Sequence, residues 1–573
     1  MHGKNAVRGM RNHPKHRRSI HAALRLGLCR HFGHTAALSP VSRPSRMSST
    51  AAAPRARFPR QIPYIIGNEG CERFSFYGMR NILVQFLITS TLLQHILSDG
   101  ERALAAKDLM HSFMIGVYFF PLLGGWLADR FFGKYNTILW FSLIYCAGHA
   151  CLAMFEDSRT GFFTGLGLIA LGAGGIKPLV ASFVGDQFDQ SNKHLAKVVF
   201  DGFYWIINFG SLFASLLMPI FLVKFGASVA FGIPGILMFI ATAVFWAGRK
   251  HYVFAPLPPK DPDSFTRVAR TALLSAAPGQ SRPGLWLALG SVVLALGVIA
   301  HALLAPLMGW NAFGIVITLC LALVIFLVGA GVGTWMQLDR ARGVHPEVAV
   351  EGVRSVLRLL VIFALTTPFF SLFDQKASTW VIQGAEMTKP GWFQPAQMQA
   401  LNPALVMILI PFNNLVLYPW LKRLGFAPTA LRRMTAGIAF SGLAWIAVGA
   451  FQVMMDGGEA MSIVWQVLPY ALLTFGEVLV SATGLEFAYS QAPQAMKGVI
   501  MSFWNLTTTI GNLWVLLANA AVRNQTVTTN IASTGLSETA FLMFFFAAFA
   551  LVAAGVFGLY ARRYREADHY RPV

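Results

Sequence analysis

Fourteen apolar stretches, each long enough to cross a bilayer, run from residue 62 to residue 561 and leave this chain few choices of fold. An α-helix rises 1.5 Å per residue, so roughly 20 apolar residues cover a hydrocarbon core about 30 Å thick. The stretches lie near 62–93, 107–128, 136–155, 161–184, 203–223 and 229–248, then 285–306 and 311–336, then 354–383, 401–421, 429–453, 462–489, 498–520 and 539–561. A Pro-rich polar connection from His251 to Pro283 separates the first six from the middle pair. With 55% hydrophobic and 12% charged residues, the 573-residue chain reads as one all-α polytopic membrane protein, its spans grouped six, two and six.

Loop charges support an even number of crossings. Arg130/Lys134, Lys193/Lys197, Arg249/Lys250, Arg340/Arg342, Lys422/Arg423, Arg432/Arg433, Lys497 and Arg562/Arg563 all fall on one side of a fourteen-span arrangement. The other side holds Asp99/Glu101, Glu156/Asp157, Glu386 and Asp456/Glu459. Basic loops stay in the cytoplasm, so both termini are expected there. Twelve spans, with 285–336 not crossing, keep the same parity and fit the charges equally well.

The formal net charge of +21 is unevenly spread. Residues 1–60 hold 13 Lys/Arg and no Asp/Glu, and the remaining 513 residues carry 33 basic against 25 acidic side chains. That remainder suits membrane orientation, and nucleic acid is discounted as a partner. Residues 1–60 read as a disordered basic tail, as an Arg-rich targeting peptide, or as an early start with Met47 the true one. Cys29, Cys71, Cys146, Cys151 and Cys320 show neither a CxxC pair nor metal-ligand spacing, so no disulfide or metal is expected.

Charge inside the apolar runs is the functional signal. Glu69, Glu72, Arg73, Phe76 and Arg80 fall at helical spacing on one stripe of the first run. Each charge in hydrocarbon costs several kcal/mol, so four on a stripe face a wet cavity, or one another in an ion-paired packing seam. Lys177, in Leu171-Gly172-Ala173-Gly174-Gly175-Ile176-Lys177-Pro178, is well inside the fourth run, where it is a candidate partner for Glu69 or Glu72 or snorkels to an interface. The glycines before it read as close helix packing. Glu477 is mid-span, suited to proton exchange or to a cationic group. Asp374 is a further intramembrane acid beside Lys376, either a proton site or an extracellular gate. Glu486 reads as structural. His111 and the amides Asn208 and Asn402 suit hydrogen bonds between helices or to a polar ligand.

These residues carry a family resemblance. Gly125-Trp126-Leu127-Ala128-Asp129-Arg130-Phe131-Phe132-Gly133-Lys134 resembles the loop between the second and third helices of major facilitator superfamily transporters. Glu69-Gly70-Cys71-Glu72-Arg73-Phe74-Ser75-Phe76-Tyr77-Gly78 resembles the first-helix motif of the proton-dependent oligopeptide transporter family. The segments 203–212, 373–375 and 484–493 resemble its fifth-, seventh- and tenth-helix signatures, and the pair 285–336 is similar to the insertion of its bacterial members.

The resemblance implies the major facilitator fold, with two six-helix bundles (61–250 and 351–562), a linker with two extra helices (251–350) and a cytoplasmic tail (563–573). It implies a proton-coupled symporter importing di- and tripeptides by alternating access, multi-pass in the plasma (inner) membrane. The proton gradient stands in place of any cofactor, and the partners are peptide, protons and the bilayer. Glu69, Glu72, Arg73, Lys177, Asp374 and His111 would couple protons. Arg80, Tyr118, Lys177, Asn208, Asn402, Glu477 and Trp504 would bind substrate, with Arg80 and Lys177 on the peptide carboxylate and Asn208, Asn402 and Glu477 on its amine. Phe76 replaces the first tyrosine of the family's Tyr-Tyr-Gly, Leu179 stands where Asn often follows Lys-Pro, and Thr379 replaces an arginine that would pair with Asp374. The alternatives are a transporter of the same fold for an amino acid, nitrate or a drug, and a non-transporting peptide sensor. No HxxxH, GxSxG or clustered His/Asp set supports an enzyme.

Overall fold

The computed structural model describes residues 59–94, 98–188, 193–254, 261–276, 279–308, 313–491 and 496–564. The basic N-terminal segment and most of the C-terminal tail lie outside the described residues. All fourteen apolar stretches are helical. The first six form α1 (Ile62–Thr89), α2 (Asp99–Leu127), α3 (Gly133–Met154), α4 (Arg159–Asp186) and α5 (Lys193–Ala247). At 55 residues α5 is far too long for one crossing. Gly226 breaks it with φ 83°, a left-handed conformation open to glycine at no steric cost. The two resulting segments are the fifth and sixth stretches of the sequence.

A short amphipathic helix, α6 (Phe265–Leu274), leads to the middle pair, α7 (Pro283–Met308) and α8 (Ile315–Gln337). The last block holds α9 (Glu347–Asp374), α10 (Thr379–Glu386), α11 (Leu401–Phe412), α12 (Ala430–Asp456), α13 (Val467–Glu477), α14 (Thr483–Gln491), α15 (Lys497–Ala521) and α16 (Glu538–Arg563). No β-strand occurs among the described residues, only two isolated bridges.

Three stretches that read as single helices are interrupted. One 3-10 turn, Gln375–Ala377, separates α9 from α10. Turns of π-helix lie at Asn413–Leu417 after α11 and at Val478–Ala482 between α13 and α14. Such bulges are frequent at functional sites, and the second one follows directly on Glu477.

Ten helical stretches among the described residues are long and apolar enough to cross a membrane. Two of them, Asp99–Met154 and Val198–Lys250, are long enough to cross twice. α1 and α15 are not among the ten. They carry the charges and amides described below, so the helices least suited to lipid are those that line the interior.

Buried apolar side chains form two large clusters. One runs from Ile62 to Tyr252 with Ala377 added, and the other from Val268 to Phe557. The glycines before Lys177 pack tightly, as their sequence suggests. A Cβ on Gly174 would overlap the Phe120 backbone, and one on Gly172 or Gly175 would overlap Tyr145 or Phe141. The loop after α2 turns at Gly133 (φ 72°), but Lys134 rather than Asp129 or Arg130 makes the clasp, pairing with Asp186 at 2.7 Å.

Candidate functional site

A cavity of about 230 Å³ lies between the two clusters. Its polar wall includes Tyr77, Arg80, Asn81, Tyr118, Asn208 and Ser211 from the first block, and Lys376, Gln399, Asn402, Glu477, Asn505 and Thr508 from the second. Phe370, Phe373 and Trp504 supply aromatic faces. The volume falls just below the range of drug-sized sites, about 300–1,000 Å³, and suits a small polar ligand.

Six residues singled out from the sequence meet here: Arg80, Tyr118, Asn208, Asn402, Glu477 and Trp504. Asn402 bridges the charges of the second block. Its amide nitrogen donates to Glu477 Oε2, and its Oδ1 accepts from Lys376 Nζ at 2.8 Å. The Lys376 ammonium also lies 3.2 Å from the centroid of the Phe373 ring. From the sequence Lys376 stands out only as the neighbour of Asp374. The structure makes it the cation of this wall. Asn208 donates to the Tyr204 carbonyl one turn earlier.

The other candidates, Lys177 apart, belong to two networks beside the cavity. In α1, Arg73 Nε contacts Glu69 Oε1 at 2.6 Å and Glu72 Oε2 at 3.1 Å, with both carboxylates fully buried. Lys177 does not join them, because no carboxylate oxygen among the described residues lies within ion-pair distance of its ammonium. It sits 3.3 Å from the centroid of Phe76, with Tyr118 at 5.1 Å. The pairing expected from the sequence is therefore not a direct ion pair, although Lys177 lies within electrostatic range of both Glu69 and Glu72. Arg73, one turn from Glu69, is the cation in direct contact with both acids, and the ring at position 76 offers Lys177 its negative face instead. Lys177 is also not among the cavity-lining side chains.

The second network joins the blocks. Arg80 donates to Asp374 Oδ1 at 2.7 Å, and Asn512 donates to Asp374 Oδ2 at 2.7 Å. His111 contacts Asn512 Oδ1 at 2.6 Å through Nδ1 and Ser378 Oγ at 3.0 Å through Nε2. The absent arginine at Thr379 is thus replaced from across the interface by Arg80. Thr379 itself donates to Gln375 Oε1. Asn512 carries the same signal as Asn208 and Asn402, an amide inside an apolar run, whereas Ser378, between the 3-10 turn and α10, carries none. Glu486 is exposed and belongs to neither network.

Further bonds between the blocks cluster at the same end. Gln399 donates to the Asn81 carbonyl, Gln397 to the Leu216 carbonyl, and Asn519 and Arg523 to Asp108. This is the end where α1 finishes and α2 starts. Nearer the basic loops, Tyr204 and Trp205 are exposed.

Comparison with known proteins gives one answer. The family model described as the POT family matches residues 135–281 and 336–535. Solute carrier family 15 member 2 of Oryctolagus cuniculus is 31% identical over 443 residues, covering 73% of this chain and 53% of that protein. Peptide transporter 3 of Caenorhabditis elegans is 31% identical over 417 residues, covering 70% of this chain and 51% of that protein. The chain therefore spans about half the length of the curated relatives it matches. Among solved structures, an auto-inhibited POT family peptide transporter is 75% identical with a TM-score of 0.86, covering 90% of this chain and 99% of that one. The POT family transporter PepTSo is 65% identical, also with a TM-score of 0.86, covering 90% of this chain and 100% of that one. With its helices in the major facilitator arrangement, the chain belongs to the POT family, the proton-dependent oligopeptide transporters.

Proposed function

We propose that this protein imports di- and tripeptides together with protons by alternating access. The carrying observation is a small cavity between the blocks whose walls present both signs of charge, Arg80 on one side and Lys376 with Glu477 on the other. A peptide zwitterion places its charges about 5–8 Å apart, the length of one or two residues. Its carboxylate is read by Arg80, and its amine by Glu477 with Asn402 and Asn208. Tyr118 and Trp504 contact the peptide body. Contacts to the backbone ends leave side-chain identity loosely specified. The relatives named as peptide transporters support this reading.

Proton coupling is assigned to the groups beside the cavity. Glu69 and Glu72 share one guanidinium, so these three groups alone carry a net negative charge, which a proton on either acid cancels. Release of Arg73 from that pair, and movement of Lys177 off its ring, biases the balance between states. Asp374, Arg80 and His111 act as the gate at the closed end, which opens and closes with substrate. The fourteen spans divide into bundles 61–250 and 351–562 with an extra pair between them. Both termini face the cytoplasm across the plasma (inner) membrane, and the proton gradient is the only further requirement.

The reading is tested in proteoliposomes. Dipeptide accumulates inside under an inward proton gradient, and the accumulation collapses on adding a protonophore. Uptake indifferent to the gradient would falsify symport.

A further inference from the structure

An apolar crevice of about 570 Å³ lies apart from the peptide cavity, where α8 leans against α9, α15 and α16. Val324, Leu327, Val361, Ala364, Leu506 and Ile510 line its length. It is open sideways, since Val328, Val332 and Val361 are exposed. Toward the α1–α2 end it is sealed by Cys320 of α8 packing on Leu513 and Leu516 of α15.

The other end of the crevice is polar and cationic. Trp335 lies two residues from the end of α8, and Tyr560 three from the end of α16. Tryptophan and tyrosine at helix ends mark the headgroup level. The guanidinium carbons of Arg354 and Arg358 lie 5.5 and 5.8 Å from the centroid of the Trp335 ring. Arg354 is neutralised by Asp339 and Glu351. Arg358 is exposed, lines the crevice, and makes no ion pair among the described residues. At the headgroup level an unpaired guanidinium extends into the interface, where lipid phosphates lie within its reach.

We propose that this crevice holds an anionic phospholipid, with one acyl chain along its apolar length and the phosphate on Arg358. Charge complementarity selects the occupant. Arg342 is held by Asp339, Glu347 and Glu351, but the same end also carries Arg340, Arg562 and Arg563, which draw anionic headgroups to it. An acyl chain fits the dry floor, and a phosphate supplies the acceptor that Arg358 lacks. The walls are functional helices. α9 leads into Asp374 and α15 carries Asn512, and Trp514 of α15 donates to Thr367 of α9 across the crevice floor at 3.0 Å. An occupying lipid therefore braces two helices that hold the gate, independently of which solute is carried.

Native mass spectrometry of the purified full chain in detergent tests the site. The titrants are phosphatidylglycerol and phosphatidylcholine of matched chains, with inorganic phosphate as competitor. Wild type binds phosphatidylglycerol about tenfold more tightly than phosphatidylcholine. Arg358→Gln abolishes the preference, Arg358→Lys keeps most of it, and Val328→Trp, which fills the crevice, weakens both lipids. Thermal melting confirms that each variant is folded. An unchanged preference in Arg358→Gln, full binding in Val328→Trp, or displacement of the lipid by inorganic phosphate would overturn the proposal. Should Arg358→Gln fail to fold, Arg358→Lys and Val328→Trp still decide it.

Discussion

Among the described residues two lysines face aromatic rings, one in each block, and their surroundings differ. Lys177 lies over Phe76 at 3.3 Å and Lys376 over Phe373 at 3.2 Å, so both ammoniums use the negative face of a ring. Lys376 also donates to Asn402, which is bonded to Glu477. Lys177 has no acceptor of that kind among the described residues, and Glu69 and Glu72, which contact Arg73, act on it only through space. A cation fixed by an amide and a carboxylate is suited to shaping a binding wall. A cation held by rings and by charges beyond contact distance is free to respond when one of those charges changes. Both lie within electrostatic range of the Arg80–Asp374 pair, which links the two sides.

Breaking that link has the largest expected effect. Asp374→Asn leaves the buried Arg80 charge unpaired, and such losses cost about 3–5 kcal/mol. Thermal unfolding in detergent should show a clear drop, and an unchanged melting point would mean that the pair is not closed in the resting state. Next in size is the second-block wall. Glu477→Gln removes a charged hydrogen bond worth about 1.5–3 kcal/mol, a loss of tenfold or more for peptides with a free amine. Peptides with a blocked amine should lose much less, and equal losses would sink the amine assignment. The smallest effects compare the rings. Phe76→Leu removes a desolvated cation–π contact worth roughly 2 kcal/mol, whereas Phe373→Leu leaves Lys376 its amide and costs less than about 1 kcal/mol. Uptake rates should fall more for Phe76→Leu, and the reverse order would undo the contrast between the lysines.

Much of this was legible from the chain because membrane helices announce themselves locally. Every apolar stretch became helix, and the stripe from Glu69 to Arg80 marked α1 as an interior helix. The partners were less accessible. Arg80 and Asp374 lie 294 residues apart, and His111 and Asn512 lie 401 apart. Periodicity within a helix carries no record of which distant helix it meets. Phe76 is the clearest example. As a sequence departure it removed a hydroxyl without evident gain, and only the position of Lys177 above its ring explains it. The π-turn after Glu477 was equally hidden, since Val478–Ala482 reads as ordinary helix.

The division of labour between the lysines is tested most directly by Lys177→Ala and Lys376→Ala in proteoliposomes, each assayed for peptide exchange without a gradient and for accumulation under one. Lys177→Ala should retain exchange while losing gradient-driven accumulation, and Lys376→Ala should lose affinity in both assays. A Lys177→Ala variant that still accumulates peptide against its gradient, or that loses exchange as well, would contradict the account.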